Sequence, residues 1–253
     1  MGALFERMVG EIAAEIPGSR QVFENHHIDY CCGGKRQLRD ACRVAGVNAD
    51  EIEAQILAAS EIPAGAAPRL WRQESLKDLI RYIVEVHHAY LRSELPSLGR
   101  MITNLENFHG ARRPEVLPLR RALARLTEEL QVHLKKEEAV LFPAILRMEQ
   151  AVNANEALPT SPFGSVRNPI WMMEQEHDAI VSVLSEIHTL TGDYTLRDQQ
   201  CEMFRLLSQA LQSLEIDLQE YIHLEDNILF PRAVLLEAQL NGGTPTTQAD
   251  TMK

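Results

Sequence analysis

The sequence predicts an all-α protein: an up-down four-helix bundle preceded by a small helical domain. Three observations carry this. Ala, Leu, Glu, Gln and Arg are abundant and aromatic content is only 6%, a composition that favours helix throughout. Strand signals are nearly absent. Four long stretches space apolar residues three and four apart, which gives each one face that turns toward partner helices.

The elements follow in order. A chain of 253 residues has room for a sizeable core and two domains of unequal size. Residues 1–61 read as a small helical module with helices over 4–15, 18–25, 35–45 and 49–60, the last capped by Asn48 or Asp50. Gly33-Gly34 breaks the chain directly after Asp29-Tyr30-Cys31-Cys32. Residues 62–74 form a linker, with Pro63, Gly65 and Pro68 at its centre. The bundle occupies 75–240. Its first helix covers about 75–108, bent or broken at Pro96, and its second about 115–148. A long loop rich in Asn, Pro, Ser and Gly (153–169) leads to a third helix over 169–190 and a fourth over 196–240. The tail, 241–253, is polar and reads as disordered.

Charge and cysteine content narrow the function. A net charge of −11 argues against a nucleic-acid backbone as partner. No apolar run approaches ~20 residues and no signal-like leader is present, so a soluble, cytoplasmic protein without a membrane partner is expected. Cys31, Cys32, Cys42 and Cys201 follow neither a disulfide-scaffold nor a zinc-ribbon spacing, so reduced thiols are expected.

The apolar stripes are not purely apolar. His133 and Glu137 extend the stripe of Leu119, Leu123, Leu126 and Leu130, which runs on to Val140. Tyr221 and Glu225 extend that of Leu207, Leu211, Leu214 and Leu218. His177 sits among Ile170, Met173, Ile180 and Leu184, and His88 among Val84, Leu91, Leu95 and Leu98. A polar or charged group on a buried face loses water and needs a partner, and carboxylates are rarely fully buried unpaired. When four helices do this together, one shared metal centre is the economical explanation. Imidazole plus carboxylate without thiolate suits iron or manganese better than structural zinc.

The pattern also repeats. Leu-Phe-Pro begins four residues after both Glu137 and Glu225. His88 to His133 is 45 residues and His177 to Tyr221 is 44. Two similar helix pairs, pseudo-twofold related, would suit two metal ions bridged by carboxylates. Other histidines fit less well. His223 lies roughly 200° around the helix from Glu225, His188 is one residue off its stripe, and strict alternation favours His88 over His87. His26, His27 and His109 read as surface residues or as supports for the ligands. Glu129, one turn before His133, reads equally as an orienting partner for a ligand or as an exposed glutamate. Glu85 and Glu174 satisfy Glu-x-x-His with His88 and His177, a ferritin-like pattern ranked second because both lie about 60° off the stripe.

With these residues in hand, the chain resembles the iron-sulfur cluster repair di-iron proteins, a family of two-domain hemerythrin-like proteins. The resemblance rests on Asp29-Tyr-Cys-Cys-Gly-Gly-Lys35, on His133-x-x-x-Glu137 with Leu-Phe-Pro, on Glu176-His177-Asp178, and on Leu224-Glu225-x-Asn-x-Leu-Phe-Pro-Arg232. It implies a hemerythrin-like bundle holding two non-haem iron ions, oxo- and carboxylate-bridged, on His88, His133, Glu137, His177 and Glu225. The family's sixth ligand, a histidine, is Tyr221 here. The resemblance further implies repair of iron-sulfur clusters damaged by nitrosative or oxidative stress, with damaged iron-sulfur proteins as partners and nitric oxide or dioxygen as small ligands. Whether the chain is a homodimer stays open.

Cys31 and Cys32 carry the family's N-terminal signature and are the expected reactive pair. Adjacent cysteines bridge each other only through a strained ring. Gly33, Gly34 and Lys35 predict an accessible, locally positive setting that favours thiolate. A dioxygen or nitric-oxide carrier or sensor is the alternative class, though a simple carrier has no need of a cysteine domain. A ferritin-like oxidase is the third, and it requires Glu85 and Glu174 at the metal.

Overall fold

The computed structural model describes residues 4–16, 18–60, 71–110, 113–114, 116–157, 160–195 and 202–242. The expected linker centre, the start of the fourth bundle helix, Cys201 and nearly all of the tail lie outside the described residues.

The N-terminal part holds α1 (Val9–Glu15), α2 (Ser19–Asn25), a 3-10 turn at Cys32–Lys35, α3 (Leu38–Ala45) and α4 (Ala49–Ser60). Two expected helices start late. The first begins at Val9, not residue 4, and the third at Leu38 because the Gly-Gly segment winds into the 3-10 turn. Asn48 supplies the expected cap, its Oδ1 accepting from the Asp50 N–H at 2.9 Å. Val9, Ile12, Phe23, Leu38, Ile52 and Ile56 form a small core of their own. Among the described residues the one strand-like pairing is an isolated antiparallel bridge, Met8 to Gln37.

The bundle follows. Its first helix is α5 (Leu76–Tyr82), a π turn (Ile83–His88) and α6 (Ala89–His109); its second is α7 (Val116–Lys136), a π turn (Glu137–Leu141) and α8 (Phe142–Ala154). The third is α9 (Arg167–Thr191). The fourth is α10 (Glu202–Leu224), a π turn (Glu225–Leu229) and α11 (Phe230–Leu240). Helix α7 packs between α6 and α9, and α10 closes against α6. Their buried leucines and isoleucines form one continuous core, the term that stabilises such a fold most.

Pro96 does not break its helix: α6 is continuous through it. Its missing N–H costs one hydrogen bond, and the buried Leu91, Leu95 and Leu98 around it hold the segment in place. Helix α9 starts at Arg167, two residues early, because the buried Glu237 of α11 caps it. That carboxylate accepts from the Val166 N–H at 2.7 Å and the Ser165 hydroxyl at 2.6 Å. No helix among the described residues is long and apolar enough to cross a membrane.

Candidate metal centre

Three of the four bundle helices change pitch where they carry a candidate ligand. The Phe142 N–H bonds five residues back to the Glu137 carbonyl, the Phe230 N–H to the Glu225 carbonyl, and the Ala89 N–H to the Val84 carbonyl. Each wide turn inserts about one residue and re-aims the side chains after it. Val140, expected in the stripe, is therefore 44% exposed, and Leu141 takes the inward position. The first π turn also buries His87 and His88 together, although adjacent residues on a regular helix point about 100° apart.

The result brings all six expected residues together, every one buried. His133, Glu137, His177 and Glu225 each offer a ligand atom, and all four atoms lie within 4.8 Å of one another. His88 Nε2 is 3.2 Å from Glu137 Oε2, and His177 Nε2 is 3.2 Å from Glu225 Oε2. The Nε2 atoms of His133 and His177 face each other at 3.1 Å. The Tyr221 hydroxyl donates to Glu137 Oε2 at 2.5 Å and lies 3.0 Å from His133 Nε2.

Each histidine is braced from behind by an acid on another helix. His88 Nδ1 meets Glu138 at 2.6 Å, His133 Nδ1 meets Glu176 at 2.9 Å, and His177 Nδ1 meets Asp226 at 2.8 Å. A carboxylate on Nδ1 fixes the tautomer that leaves the Nε2 lone pair for a metal. Phe142 then stacks on His88 and Phe230 on His177, with centroids 5.7 and 5.9 Å apart. Each copy of the repeated Leu-Phe-Pro thus lays its phenylalanine flat against the histidine of its own helix pair. Sequence reasoning missed these braces. The available signal was that Glu138, Glu176 and Asp226 each adjoin a ligand in the chain.

The electrostatics point to a cation. Burial together with the neighbouring Glu137 carboxylate pushes Glu225 well above the usual carboxylate range. Burial also works against ionised Glu137, but the facing His133 overrides it and holds this carboxyl well below its ordinary value. His133 is likewise disfavoured as an imidazolium by burial, yet Glu137 and Glu176 raise it to about 9. Burial and the two carboxylates push the Tyr221 phenol well above its ordinary value, so it stays protonated. Even so, both Glu225 oxygens, Glu137 Oε1 and His88 Nε2 are buried without a hydrogen-bond partner. Orphaned acceptors facing one another are costly in a protein interior, and a bound cation satisfies all of them. The donor set fits a metal.

Other expectations need correcting. Glu85 is exposed, and Glu174 is turned outward to Lys35 at 2.8 Å, so the ferritin-like pair does not join the cluster. Glu129 braces no histidine. It lines a cleft of about 340 Å³ between α7 and α9 that reaches His133 and Glu176. His87, passed over on alternation, is as buried as His88. His223 does face away from the cluster, but it is buried against the ring of Tyr30, with centroids 5.3 Å apart.

The cysteines lie elsewhere, where the N-terminal core meets the bundle. Their setting is neither open nor positive, contrary to expectation. Cys31 is buried in the bundle's core, Cys32 is half-buried, and the Lys35 ammonium is engaged by Glu174. The Cys31 Sγ–H donates to Asp29 Oδ1 at 3.2 Å. Its neighbour Cys32, burial and the Asp29 carboxylate together push this thiol well above its ordinary value. The loop is clasped from the bundle by Asn227, whose Nδ2 donates to the carbonyls of Cys31 at 3.0 Å and Tyr30 at 3.2 Å.

A buried histidine–carboxylate centre in a bundle of π-kinked helices defines a hemerythrin-like metal-binding protein. Residues 79–233 match the Hemerythrin HHE cation binding domain, and residues 5–60 match the ScdA_N domain of unknown function. The chain is 35% identical over 227 residues to the "Iron-sulfur cluster repair protein YtfE" of Yersinia pestis (strain Pestoides F) and to that of Yersinia pseudotuberculosis serotype IB (strain PB1/+). Each match covers 89% of this chain and 96% of the relative. This chain belongs to that iron-sulfur cluster repair family.

Proposed function

We propose that the bundle holds two non-haem iron ions and that the protein repairs iron-sulfur clusters damaged by nitrosative or oxidative stress. The observation that carries the metal reading is Glu225: a wholly buried carboxylate whose oxygens accept no hydrogen bond, with His177 Nε2 at 3.2 Å and Glu137 beside it. Glu137 and Glu225 would bridge the ions, while His88, His133 and His177 hold them from the sides. When bound, the irons would supply redox chemistry and an open position for dioxygen or nitric oxide.

This chain's own residues do the rest. The braces Glu138, Glu176 and Asp226 keep each imidazole aimed inward. Tyr221, as a protonated phenol, donates to Glu137 and keeps that carboxylate oriented. The cleft ending at His133 gives a small ligand an approach between α7 and α9. Cys31 and Cys32 would serve a damaged iron-sulfur protein docked at the N-terminal face, the half-buried Cys32 meeting it first. In support, the chain resembles proteins named for cluster repair along nearly its whole length.

Metal analysis of protein purified from iron-replete cells tests the centre; about two irons per chain are expected, and one zinc per chain would overturn the reading. For the cysteines, a Cys31→Ser/Cys32→Ser protein should keep its iron and its optical spectrum but fail to restore a nitric-oxide-treated iron-sulfur enzyme. Unchanged restoration would remove the thiols from the function.

A further inference from the structure

The resemblance to the repair family implies an imidazole at position 221, and this chain has a phenol there. An imidazole is nevertheless present beside that position. His87 is 1% exposed, and its ring lies 6.1 Å from the Tyr221 ring at 28°, nearly parallel. Its Nδ1 is 2.9 Å from Asp217 Oδ1, and Asp217 stands one helical turn before Tyr221 on α10. Its Nε2 is buried with no hydrogen-bond partner. His88, His133 and His177 are presented in the same manner, with a carboxylate on Nδ1 and Nε2 left for another atom.

The pseudo-twofold relation says what His87 corresponds to. Glu176 precedes His177 in the chain and faces His133 across the bundle. His87 precedes His88 and faces Tyr221. The two halves match in position but not in contact: Glu176 holds His133 from behind at Nδ1, whereas in the second pair the imidazole stands at position 87, its ring nearly parallel to that of Tyr221. The π turn at Ile83–His88 makes the exchange sterically open, since it buries both adjacent histidines. Asp217 takes Nδ1, which leaves Nε2 as the ring nitrogen without a partner. A buried lone pair without a donor is a ligand atom.

We propose that His87 is the fourth imidazole of the metal centre, replacing the histidine that Tyr221 displaces, and that Asp217 orients it. Tyr221 is then a hydrogen-bond donor to Glu137 and not a ligand. This rests on the two-iron reading above, and the experiment separates the two.

The wild-type protein, iron-loaded and reduced, is studied by paramagnetic proton NMR. Every iron-bound imidazole whose Nδ1–H is intact gives a hyperfine-shifted, solvent-exchangeable resonance. One such signal is expected for each of His87, His88, His133 and His177. Signals from only the last three overturn the proposal while leaving the two-iron reading in place; a protein that binds no iron sinks that reading itself. Variants give a second readout. His87→Gln should lose one exchangeable signal and bind one of the two irons at least ~10-fold more weakly, within the range for losing a metal-organising group. His87→Tyr combined with Tyr221→His, which moves the imidazole to position 221, should recover both. A His87→Gln protein with wild-type iron content and all wild-type signals would overturn the assignment. If His87→Gln fails to fold, the signal count on the wild-type protein still decides.

Discussion

Glu225 is wholly buried beside a second carboxylate, and burial together with Glu137 disfavours its charge. Such a pair is costly to bury without a cation, and a bound cation would offset that cost. Glu225→Leu should therefore abolish metal binding, yet leave the metal-free protein as stable as metal-free wild type, or more stable by about 1–4 kcal/mol, as apolar replacements of buried ionic groups often do. Chemical denaturation of both metal-free proteins checks this; a metal-free variant several kcal/mol weaker would make Glu225 a structural residue. Tyr221→Phe asks a different question. The phenol is held protonated and donates to Glu137, so the variant should keep its iron, lose about 1.5–3 kcal/mol of stability with that charged hydrogen bond, and show altered reactivity with nitric oxide. A tyrosinate charge-transfer band in the wild type, lost in the variant, would mean direct ligation; no change in stability or reactivity would make Tyr221 core packing. At this scale much of the site was legible, because a polar residue in an apolar stripe is conspicuous. The bracing acids were not, since Glu138, Glu176 and Asp226 follow no stripe and act across helices that a sequence cannot place side by side. His87 was hidden for a related reason: a regular helix lets only one of two adjacent histidines face inward.

The same limit operates on the elements. Helix positions follow from periodicity, and the described ends of the bundle helices were legible to within about two residues, except that the second helix runs on from the expected 148 to Ala154. The π turns were not legible, because they are a tertiary compromise: each gives up regular hydrogen bonding to aim a ligand, and packing in the surrounding core offsets the loss. The only sequence trace is the proline after each Leu-Phe, which has no N–H to complete a regular turn. The cysteine loop shows the converse case, where one close approach dictates a residue. A Cβ on Gly34 would stand 2.1 Å from Asn227 Oδ1, and Asn227 cannot swing away without releasing the carbonyls of Tyr30 and Cys31. Gly34→Ala should cost about 1–3 kcal/mol and speed amide hydrogen exchange at the 32–35 turn, while exchange in α7 and α9 stays as it is. Equal protection of that turn in both proteins would show that Asn227 does not clasp it. His223 adds a pH dependence at the same junction. Burial and the nearby Arg20 lower it to about 3, against about 6.5 when unfolded. Between those values the unfolded chain binds a proton that the folded chain refuses, so stability falls as pH falls from 6.5 toward 3, by up to ~1.4 kcal/mol per pH unit. A His223→Phe protein should lack this share of the slope; denaturation midpoints for both proteins at pH 6.5 and 4.5 supply the comparison, and identical slopes would contradict it.

On the scale of the whole molecule, three consecutive residues join the two cores. Glu225 faces the centre, Asp226 holds His177 Nδ1, and Asn227 grips the cysteine loop. All three sit on one π turn, a segment whose geometry is set by what its side chains bind. Metal occupancy should therefore reach the cysteines through this turn, without any thiol touching the metal. A bound cation would fix Glu225, hold Asp226 and His177 in line, and so keep Asn227 on the loop that covers Cys31. Were a bound cation removed, Glu225 and Glu137 would be left opposed, and relaxation of the turn toward a regular helix would rotate Asn227 away from the carbonyls of Tyr30 and Cys31. The consequence is measurable at Cys31, whose thiol is nearly inaccessible and held well above its ordinary value. In a Cys32→Ser background, alkylation of Cys31, followed by mass spectrometry of its peptide, should be slow in the iron-loaded protein and faster after chelation. If metal binding biases the clasp by ~1.4 kcal/mol, the rate rises about 10-fold. The Asn227→Ala protein, already unclasped, should show the fast rate whether or not iron is bound. Reciprocity then requires that Asn227→Ala also weaken iron binding by the same factor, since a coupling between two sites acts equally in both directions. Equal alkylation rates with and without metal would break the link between the centre and the cysteine loop, leaving the two halves of the protein to act independently.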